Sequence, residues 1–180
     1  WDVNQTNMDK AVAELSPLGK VYAYQVDVTS AEQIAATHTL MQQEGIEVDV
    51  LINCAGIVRG NATFDKQTLR DIDLTMAVNA LAPMYVSREF LPEMLERHSG
   101  HICNRASAAG LIANPRMSVY AASKWAAIGW SESMRIELQE SKSGVRVTTV
   151  TPYYISTGMF DGVRSRVLPI LKPERVARKI

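Results

Sequence analysis

The stretch Val48-Asp-Val-Leu-Ile-Asn-Cys-Ala-Gly56 is a largely apolar run of strand length that ends in an asparagine and small residues. An apolar run of this kind is typical of a strand that is covered on both faces, as in a parallel sheet. In open α/β sheets, ligands bind at the carboxyl ends of the strands. Ala55 and Gly56 follow this predicted strand, and their small size lets the backbone come close to a bound molecule.

Helical and strand-like patterns alternate along the whole chain, which favours a parallel sheet with helices on both faces. The predicted helices cover about residues 4–15, 31–44, 65–97 with an interruption near Pro83, 117–141, and a last helix from Pro173. The predicted strands cover residues 20–26, 48–53, 101–106 and 145–150, and a loop covers 151–169. Ser30 is expected to cap the second helix, with Gln33 at the capping-box position.

The composition is that of an ordinary globular domain. The chain has 180 residues, of which 47% are hydrophobic and 21% charged, which suffices for one domain with a substantial core. The net charge is zero and no long run of one sign occurs, which argues against nucleic-acid binding. No apolar stretch approaches the length of a membrane span, and the first residues lack the pattern of a secretory signal.

Cysteine and histidine placement favours neither a disulfide nor a metal site. Cys54 and Cys103 both lie near the ends of strand-like runs and are interpreted as small buried residues, which favours a reducing compartment, the cytoplasm. The histidines His38, His98 and His101 lack the spacing of metal ligands. We therefore expect no metal.

Tyr120 and Lys124 lie four residues apart in a predicted helix, so their side chains share one face. An ammonium beside a phenol favours the phenolate, which would bring proton exchange at Tyr120 closer to neutral pH. Ser107 ends a preceding strand-like run, and Asn79 lies in an apolar part of an earlier helix. Taken one at a time, each of these observations has an ordinary structural explanation. Tyr120 and Lys124 could be a solvated pair, Ser107 a turn serine, and Asn79 an exposed helical asparagine.

Together these residues resemble the short-chain dehydrogenase/reductase family, in which Asn, Ser, Tyr and Lys form the catalytic set around a nicotinamide cofactor. The resemblance implies that Tyr120 exchanges a proton with the substrate oxygen and that Ser107 donates a hydrogen bond to it. It also implies that Lys124 holds the nicotinamide ribose and lowers the pKa of Tyr120, and that Asn79 binds a water linking Lys124 to solvent. The implied fold is a Rossmann-type doubly wound parallel α/β sheet.

The implied cofactor is NAD, with NADP disfavoured, because of Asp2. This carboxylate ends a strand, where it can accept hydrogen bonds from both hydroxyls of the adenosine ribose and would repel a 2′-phosphate. Residues 2–5 contain no arginine or lysine that could hold that phosphate. A solvated aspartate ahead of a helix is the alternative.

The resemblance places further residues at the cofactor. It puts the Asp27 side chain against the adenine amine and the Val28 backbone beside the ring, while a plain helix cap is the alternative for Asp27. Asn53, Ala55 and Gly56 continue the cofactor-binding edge. The family usually has a second asparagine where this chain has Cys54.

The segment Pro152-Tyr-Tyr-Ile-Ser-Thr-Gly-Met-Phe160 is similar to the branch of the family that contains retinol dehydrogenases and 17β-hydroxysteroid dehydrogenases. The resemblance implies that Pro152, the backbone of Ile155 and the hydroxyl of Thr157 contact the cofactor, the last two at the nicotinamide carboxamide. Loop residues beyond the strand ends predict an apolar pocket for a lipophilic alcohol or ketone. The candidate substrate-binding residues are Leu111, Ile112, Met117, Tyr153, Tyr154, Met159 and Phe160. The alternative is that these side chains only cover the core.

Two further features depart from the family pattern. Arg105 lies in a strand expected to be buried, where the family has an aliphatic residue, and an unpaired buried charge is costly. The sequence also lacks the Gly-rich strand-to-helix turn that holds the pyrophosphate, and Trp1-Asp2 looks like the end of a strand. We expect residues 1–180 to form a single dinucleotide-binding domain truncated at both ends, which is inactive by itself.

The predicted function is an NAD(P)-dependent oxidoreductase that interconverts an alcohol and a carbonyl. Nucleotide-sugar epimerases and dehydratases use the same Tyr and Lys on this scaffold, usually with a large C-terminal substrate domain, and a non-catalytic cofactor-binding module is the other alternative. By resemblance, the helices around 75–97 and 117–141 pair across a twofold axis, which implies a homodimer or homotetramer. Relatives attached to membranes or lipid droplets use a leading apolar segment, so membrane association would depend on residues outside this sequence.

Overall fold

The parallel sheet that the sequence predicts is present. The structure is a computed structural model that describes residues 1–158 and 169–179. Among these residues, three strands form a sheet in the order β1 (Val50–Asn53), β2 (Gly100–Arg105) and β3 (Val145–Val150), and both neighbouring pairs are parallel. The register pairs Asn53 with Asn104 and Arg105 with Val150. The carboxyl ends of the three strands therefore meet at one edge, the edge at which the candidate site residues were predicted.

The helices fall where the sequence predicts them. They are α1 (Gln5–Leu15), α2 (Ala31–Gln43), α3 (Leu69–Met76), α4 (Ala82–Glu96), α5 (Ser118–Glu140) and α6 (Pro173–Ala177), with short 3₁₀ turns at Phe64–Lys66 and Ala108–Gly110. Ser30 caps α2 as predicted, because its hydroxyl accepts from the Gln33 N–H at 3.2 Å. The Gln33 side chain accepts instead from the Asp27 N–H at 2.9 Å, so the capping box is not closed on Ser30.

The strand predicted over residues 20–26 is wrong. In the described part of the chain this segment makes one isolated parallel bridge, between Gln25 and Asp2. The bridge includes a hydrogen bond of 3.1 Å from the Val26 N–H to the Asp2 carbonyl. A strand needs a ladder of such bonds with a neighbour, and a single bridge does not supply one. The apolar pattern identified the extended segment correctly but not its pairing.

The interruption predicted near Pro83 is confirmed as a π-helical turn over Ala77–Leu81. Proline has no N–H, so Pro83 cannot donate to the carbonyl of Asn79 four residues earlier. The Ala82 N–H bonds instead to the Ala77 carbonyl, five residues back, which widens the turn. Such π-turns are often found at functional sites, and this one contains Asn79.

Two apolar clusters attach the helices to the sheet. One joins α4 and α5 to β2 and β3; it contains Met94, Ile102, Met134, Leu138, Val145 and Val147. The other joins α2 to α4 and contains Val26, Ile34, Met41, Val86 and Phe90. Val48 and Leu51 pack against both clusters, so the β1 segment connects the two halves of the core.

A buried polar network fixes the carboxyl ends of β1 and β2. The Asn53 amide donates to the Asn104 side-chain oxygen at 2.8 Å and to the Ser87 hydroxyl on α4 at 2.9 Å. The Asn104 amide donates in turn to the Ser131 hydroxyl on α5 at 2.9 Å. The side chain of Asn53 therefore links strands to helices. The cofactor contact predicted for Asn53 remains a prediction.

Replacing Asn104 by alanine should destabilise the fold, because it leaves the Asn53 amide and the Ser131 hydroxyl buried without these partners. Each unsatisfied buried group costs about 1–3 kcal/mol, so we expect the unfolding free energy of the full-length protein to fall by roughly 2–4 kcal/mol in urea titrations. The exposed Asn7 of α1 provides a matched control, and Asn7→Ala should change the unfolding free energy by less than about 0.5 kcal/mol. Equal effects of the two substitutions would contradict the role of the network.

Candidate active site

Ser107, Tyr120 and Lys124 meet at the carboxyl edge of the sheet. Ser107 follows β2 in an extended conformation (φ −169°, ψ 156°), and a hydrogen bond joins it to the phenol of Tyr120. Tyr120 and Lys124 lie in the first turns of α5, with the Lys124 Nζ 5.8 Å from the centre of the Tyr120 ring. The two side chains are 6% and 2% exposed. The shared helix face predicted from their spacing is confirmed.

Burial determines the charge state of Lys124. Its Nζ donates to the Arg105 carbonyl at 3.2 Å, and loss of hydration lowers its pKa to about 8, with the nearby Arg105 guanidinium as the second cause. A lysine amine with a pKa near neutral pH is typical of functional sites. The amine therefore changes charge within the range in which proteins work.

In the structure the pKa of Tyr120 is shifted in the direction opposite to the one predicted. Burial raises the pKa of the Tyr120 phenol above its usual value, while the hydrogen bond from Ser107 and the charge of Arg105 act in the opposite direction. The Lys124 Nζ lies 5.8 Å from the centre of the ring, and the lowering of the Tyr120 pKa that was predicted for Lys124 stays a prediction. In the cofactor-free state the phenol is thus held in its protonated form at neutral pH.

Asn79 holds the segment after β1 in place. Its side-chain oxygen accepts from the Ile57 N–H at 2.8 Å, and its amide donates to the Ile57 carbonyl at 2.9 Å and to the Ser123 hydroxyl of α5 at 3.1 Å. The π-turn therefore connects the strand end of β1 to the helix that carries Tyr120 and Lys124. The water relay implied for Asn79 stays a prediction.

Two glycines permit close approaches at the site. A Cβ on Gly110 would lie 2.7 Å from the Lys124 carbonyl oxygen, so only glycine lets the turn after Ser107 pack this tightly on α5. A Cβ on Gly56 would lie 3.3 Å from the Asn79 side-chain oxygen and 3.6 Å from the Lys124 Nζ. The space in front of Gly56 is thus a cradle lined by polar groups, which a side chain would begin to fill.

The sequence by itself offers no reason for the charge of Arg105. In the structure the Arg105 side chain extends into the space in front of Gly56. Its Nη2 lies 3.3 Å from the position of a Cβ on Gly56. In the described chain no carboxylate lies within salt-bridge distance of Arg105, and its Nε is buried without a hydrogen-bond partner. The side chain therefore adds a second cation beside Lys124.

The residues predicted at the adenosine end lie near one another in the extended segments before α1 and α2. Asp2 is exposed and its carboxylate accepts from the Asn4 N–H at 2.9 Å. The Asp27 carboxylate accepts from the Thr29 N–H at 2.9 Å and from the Thr29 hydroxyl at 2.7 Å, so a turn ahead of α2 uses one of its oxygens. Val28 packs against the cluster that joins α2 to α4. The cofactor contacts of all three remain predictions.

The loop after β3 runs beside the candidate catalytic residue Ser107. The Pro152 carbonyl accepts from the Ala108 N–H at 3.0 Å, which fixes the loop next to Ser107. Ile155 forms an isolated parallel bridge with Leu171, and the Thr157 N–H donates to the Ile155 carbonyl at 2.9 Å. Their predicted contacts with the nicotinamide carboxamide stay predictions.

A cavity of about 370 Å³ opens onto Ser107 and Tyr120. Its lining consists of Ser107, Ala108, Ala109, Ile112, Ala113, Asn114, Met117, Tyr120, Pro152, Tyr153 and Tyr154. The predicted substrate residues Ile112, Met117, Tyr153 and Tyr154 are therefore part of its wall. Leu111 is not in the lining and is 56% exposed, because the turn after Ser107 directs it to solvent. Met159 and Phe160 lie outside the described residues.

Sequence reasoning missed Asn114 as a wall residue. Its amide donates to the Tyr154 hydroxyl at 3.0 Å and lies 3.2 Å from the Met117 sulfur. The one signal in the sequence is a polar amide directly after the apolar run Leu111-Ile-Ala113. The contact fixes the two sides of the cavity relative to each other.

The described residues contain neither a candidate membrane span nor a candidate metal site. No helix among them is long and apolar enough to cross a membrane. No group of three or more His, Cys, Asp or Glu side chains among them is arranged to hold a metal ion.

Comparison with known proteins identifies the family. The family model described as short chain dehydrogenase matches residues 1–167. Retinol dehydrogenase 10-A of Danio rerio is 41% identical over 91% of this chain and 50% of its own length. Estradiol 17-beta-dehydrogenase 11 of Homo sapiens is 32% identical over the whole chain and 60% of its own length. A crystal structure of NAD⁺-bound xylitol dehydrogenase has a TM-score of 0.80 and 28% identity, covering 87% of this chain and 60% of that one.

The chain therefore belongs to the short-chain dehydrogenase family, and its parallel α/β sheet is part of the Rossmann-type fold that the sequence predicts. It spans about half to three-fifths of the length of these curated relatives.

Proposed function

We propose that the full-length protein is a nicotinamide-dependent oxidoreductase that interconverts an alcohol and a carbonyl on a lipophilic substrate. The observation that carries this proposal is the cluster of Ser107, Tyr120 and Lys124, in which Tyr120 and Lys124 are buried and Ser107 and Tyr120 line a largely apolar cavity. A proton-exchanging phenol, a second hydroxyl and an ammonium at one point are the groups that reversible carbonyl reduction requires of a protein.

The residues at the sheet edge fit a nicotinamide dinucleotide. In front of Gly56 the Arg105 guanidinium, the Asn79 side-chain oxygen and the Lys124 amine lie within 3.6 Å of one point, and these polar groups suit a ribose that lies beside the Lys124 amine. Lys124 and Tyr120 would hold the nicotinamide ribose, and Ile155 and Thr157 the carboxamide. When bound, the cofactor donates or accepts the hydride.

The protein residues handle the proton. In the direction of reduction, the Tyr120 phenol gives its proton to the substrate oxygen while the Ser107 hydroxyl donates a hydrogen bond to that oxygen. The raised pKa of Tyr120 keeps this proton in place at neutral pH, and the nearby charge of Arg105 stabilises the phenolate that remains. In the direction of oxidation the same groups act in reverse.

The cavity supports a lipophilic substrate. Its walls are mainly aliphatic and aromatic, with the polar groups of Ser107 and Tyr120 at one end. A pocket of this composition selects an apolar body with one polar handle. The names of the two relatives refer to retinol and to estradiol, both lipophilic alcohols, which supports the same substrate class for this protein.

Exposed apolar side chains on α4 and α5 support a homo-oligomer. Tyr85 and Leu95 on α4 and Trp125 and Ile136 on α5 are all more than a third exposed. Pairing these helices with a second copy would cover them. Cys103 is buried as predicted, whereas Cys54 is exposed, so its predicted burial is wrong. Both are free thiols, which supports a reducing compartment such as the cytoplasm.

Tyr120→Phe tests the assignment of the proton donor. The substitution removes one oxygen, so turnover of the best alcohol by the full-length protein should fall by about a hundred- to ten-thousand-fold while the NADH dissociation constant stays nearly unchanged. Steady-state kinetics and NADH fluorescence titration measure the two quantities. Tyr22→Phe, at an exposed tyrosine, is the matched control and should retain wild-type rates. Wild-type turnover in Tyr120→Phe would contradict the proposed function.

The cofactor proposed is NAD, since the exposed Asp2 carboxylate would repel a 2′-phosphate. We expect kcat/KM to be higher with NAD than with NADP, and Asp2→Asn to narrow the difference between them. Asp9→Asn, on the exposed face of α1, should leave the ratio as in wild type. A higher kcat/KM with NADP in the wild-type protein would show that Asp2 does not discriminate.

A further inference from the structure

We infer that Arg105 sets the relative affinity of the site for the two redox forms of the cofactor, favouring the reduced form. The inference rests on the proposed function and deepens it, because it concerns a residue that the family pattern does not contain. It assigns Arg105 as a specificity-determining residue.

The geometry places Arg105 against the cofactor cradle. The Arg105 Nη2 and the Lys124 Nζ lie 3.3 Å and 3.6 Å from one point in front of Gly56. The two cations therefore face the same small space, with the Asn79 side-chain oxygen 3.3 Å from that point as the neutral third group. If Lys124 holds the nicotinamide ribose, the Arg105 guanidinium is next to that half of the cofactor.

The charge of Arg105 is not neutralised by the described residues. None of their ion pairs includes Arg105, and its buried Nε has no hydrogen-bond partner among them. Its field reaches both functional neighbours, since it helps to lower the pKa of Lys124 and also lowers the pKa of Tyr120. In a partly buried site such a field is only weakly screened by salt.

The two forms of the cofactor differ in the charge that they bring to this place. The oxidised nicotinamide ring carries a positive charge and the reduced ring is neutral, whereas the pyrophosphate is the same in both. A fixed cation beside the ring therefore disfavours the oxidised form, and its attraction to the pyrophosphate cancels in the comparison. The site would be loaded preferentially with the form that carbonyl reduction consumes.

The test is the ratio of the dissociation constants of NAD⁺ and NADH for the full-length protein, measured by calorimetric titration. Wild type, Arg105→Gln, Arg105→Lys and Arg146→Gln are compared; Arg146 is an exposed residue of β3. We expect wild type to bind NADH more tightly than NAD⁺. The dissociation constant of NAD⁺ divided by that of NADH should fall by about tenfold in Arg105→Gln. The same ratio should stay at its wild-type value in Arg105→Lys and Arg146→Gln.

Several outcomes would overturn the inference. If Arg105→Gln binds both forms with the wild-type ratio, or if Arg105→Lys loses the ratio, the inference fails while the proposed function stands. The inference also fails if the wild-type protein binds NAD⁺ as tightly as NADH or more tightly. If wild type binds neither form, the proposed function fails together with the inference. Should Arg105→Gln lack a cooperative melt, Arg105→Met is measured in its place, and the same ratios decide.

Discussion

Transfer of a lysine ammonium from water to a site where it is 2% exposed must be compensated by its surroundings. For Lys124 the compensation is partial: one carbonyl oxygen, that of Arg105, lies at 3.2 Å, and the pKa remains lowered to about 8. Keeping this amine charged at neutral pH then costs roughly 3 kcal/mol of stability. Because the folded state binds fewer protons at Lys124 between about pH 8 and 10.5, this cost is present below pH 8 and is relieved as the pH rises through that window.

The burial of Lys124 constrains the elements around it. α5 must approach β2 closely, and Gly110 permits this because a Cβ there would collide with the Lys124 carbonyl. The ends of the strands must not shift, and the amides of Asn53 and Asn104 hold them to the flanking helices. The π-turn places Asn79 so that its one side chain contacts both the segment after β1 and α5. A rigid support of this kind is what a proton-transfer site requires.

The sequence alone predicts those features of the molecule that arise from contacts between residues close together in the chain. The helical period placed Tyr120 and Lys124 on one face, and the missing N–H of Pro83 located the break before α4. Features that depend on distant partners were not predictable. The segment 20–26 is extended but forms a single bridge, and the sign of the pKa change at Tyr120 depends on a degree of burial that its neighbours in sequence do not determine. The contact of Asn114 with Tyr154 depends on the conformations of two loops.

The protonation of Lys124 can be observed directly by nuclear magnetic resonance of the full-length, cofactor-free protein with ¹³C-labelled lysine. We expect one Cε resonance that titrates near pH 8, while exposed lysines titrate near their usual value of about 10.4. Lys124→Arg should remove that resonance and leave the others in place. If all lysines titrate near pH 10, the amine of Lys124 is hydrated, and the buried cation on which the proposed site depends does not exist.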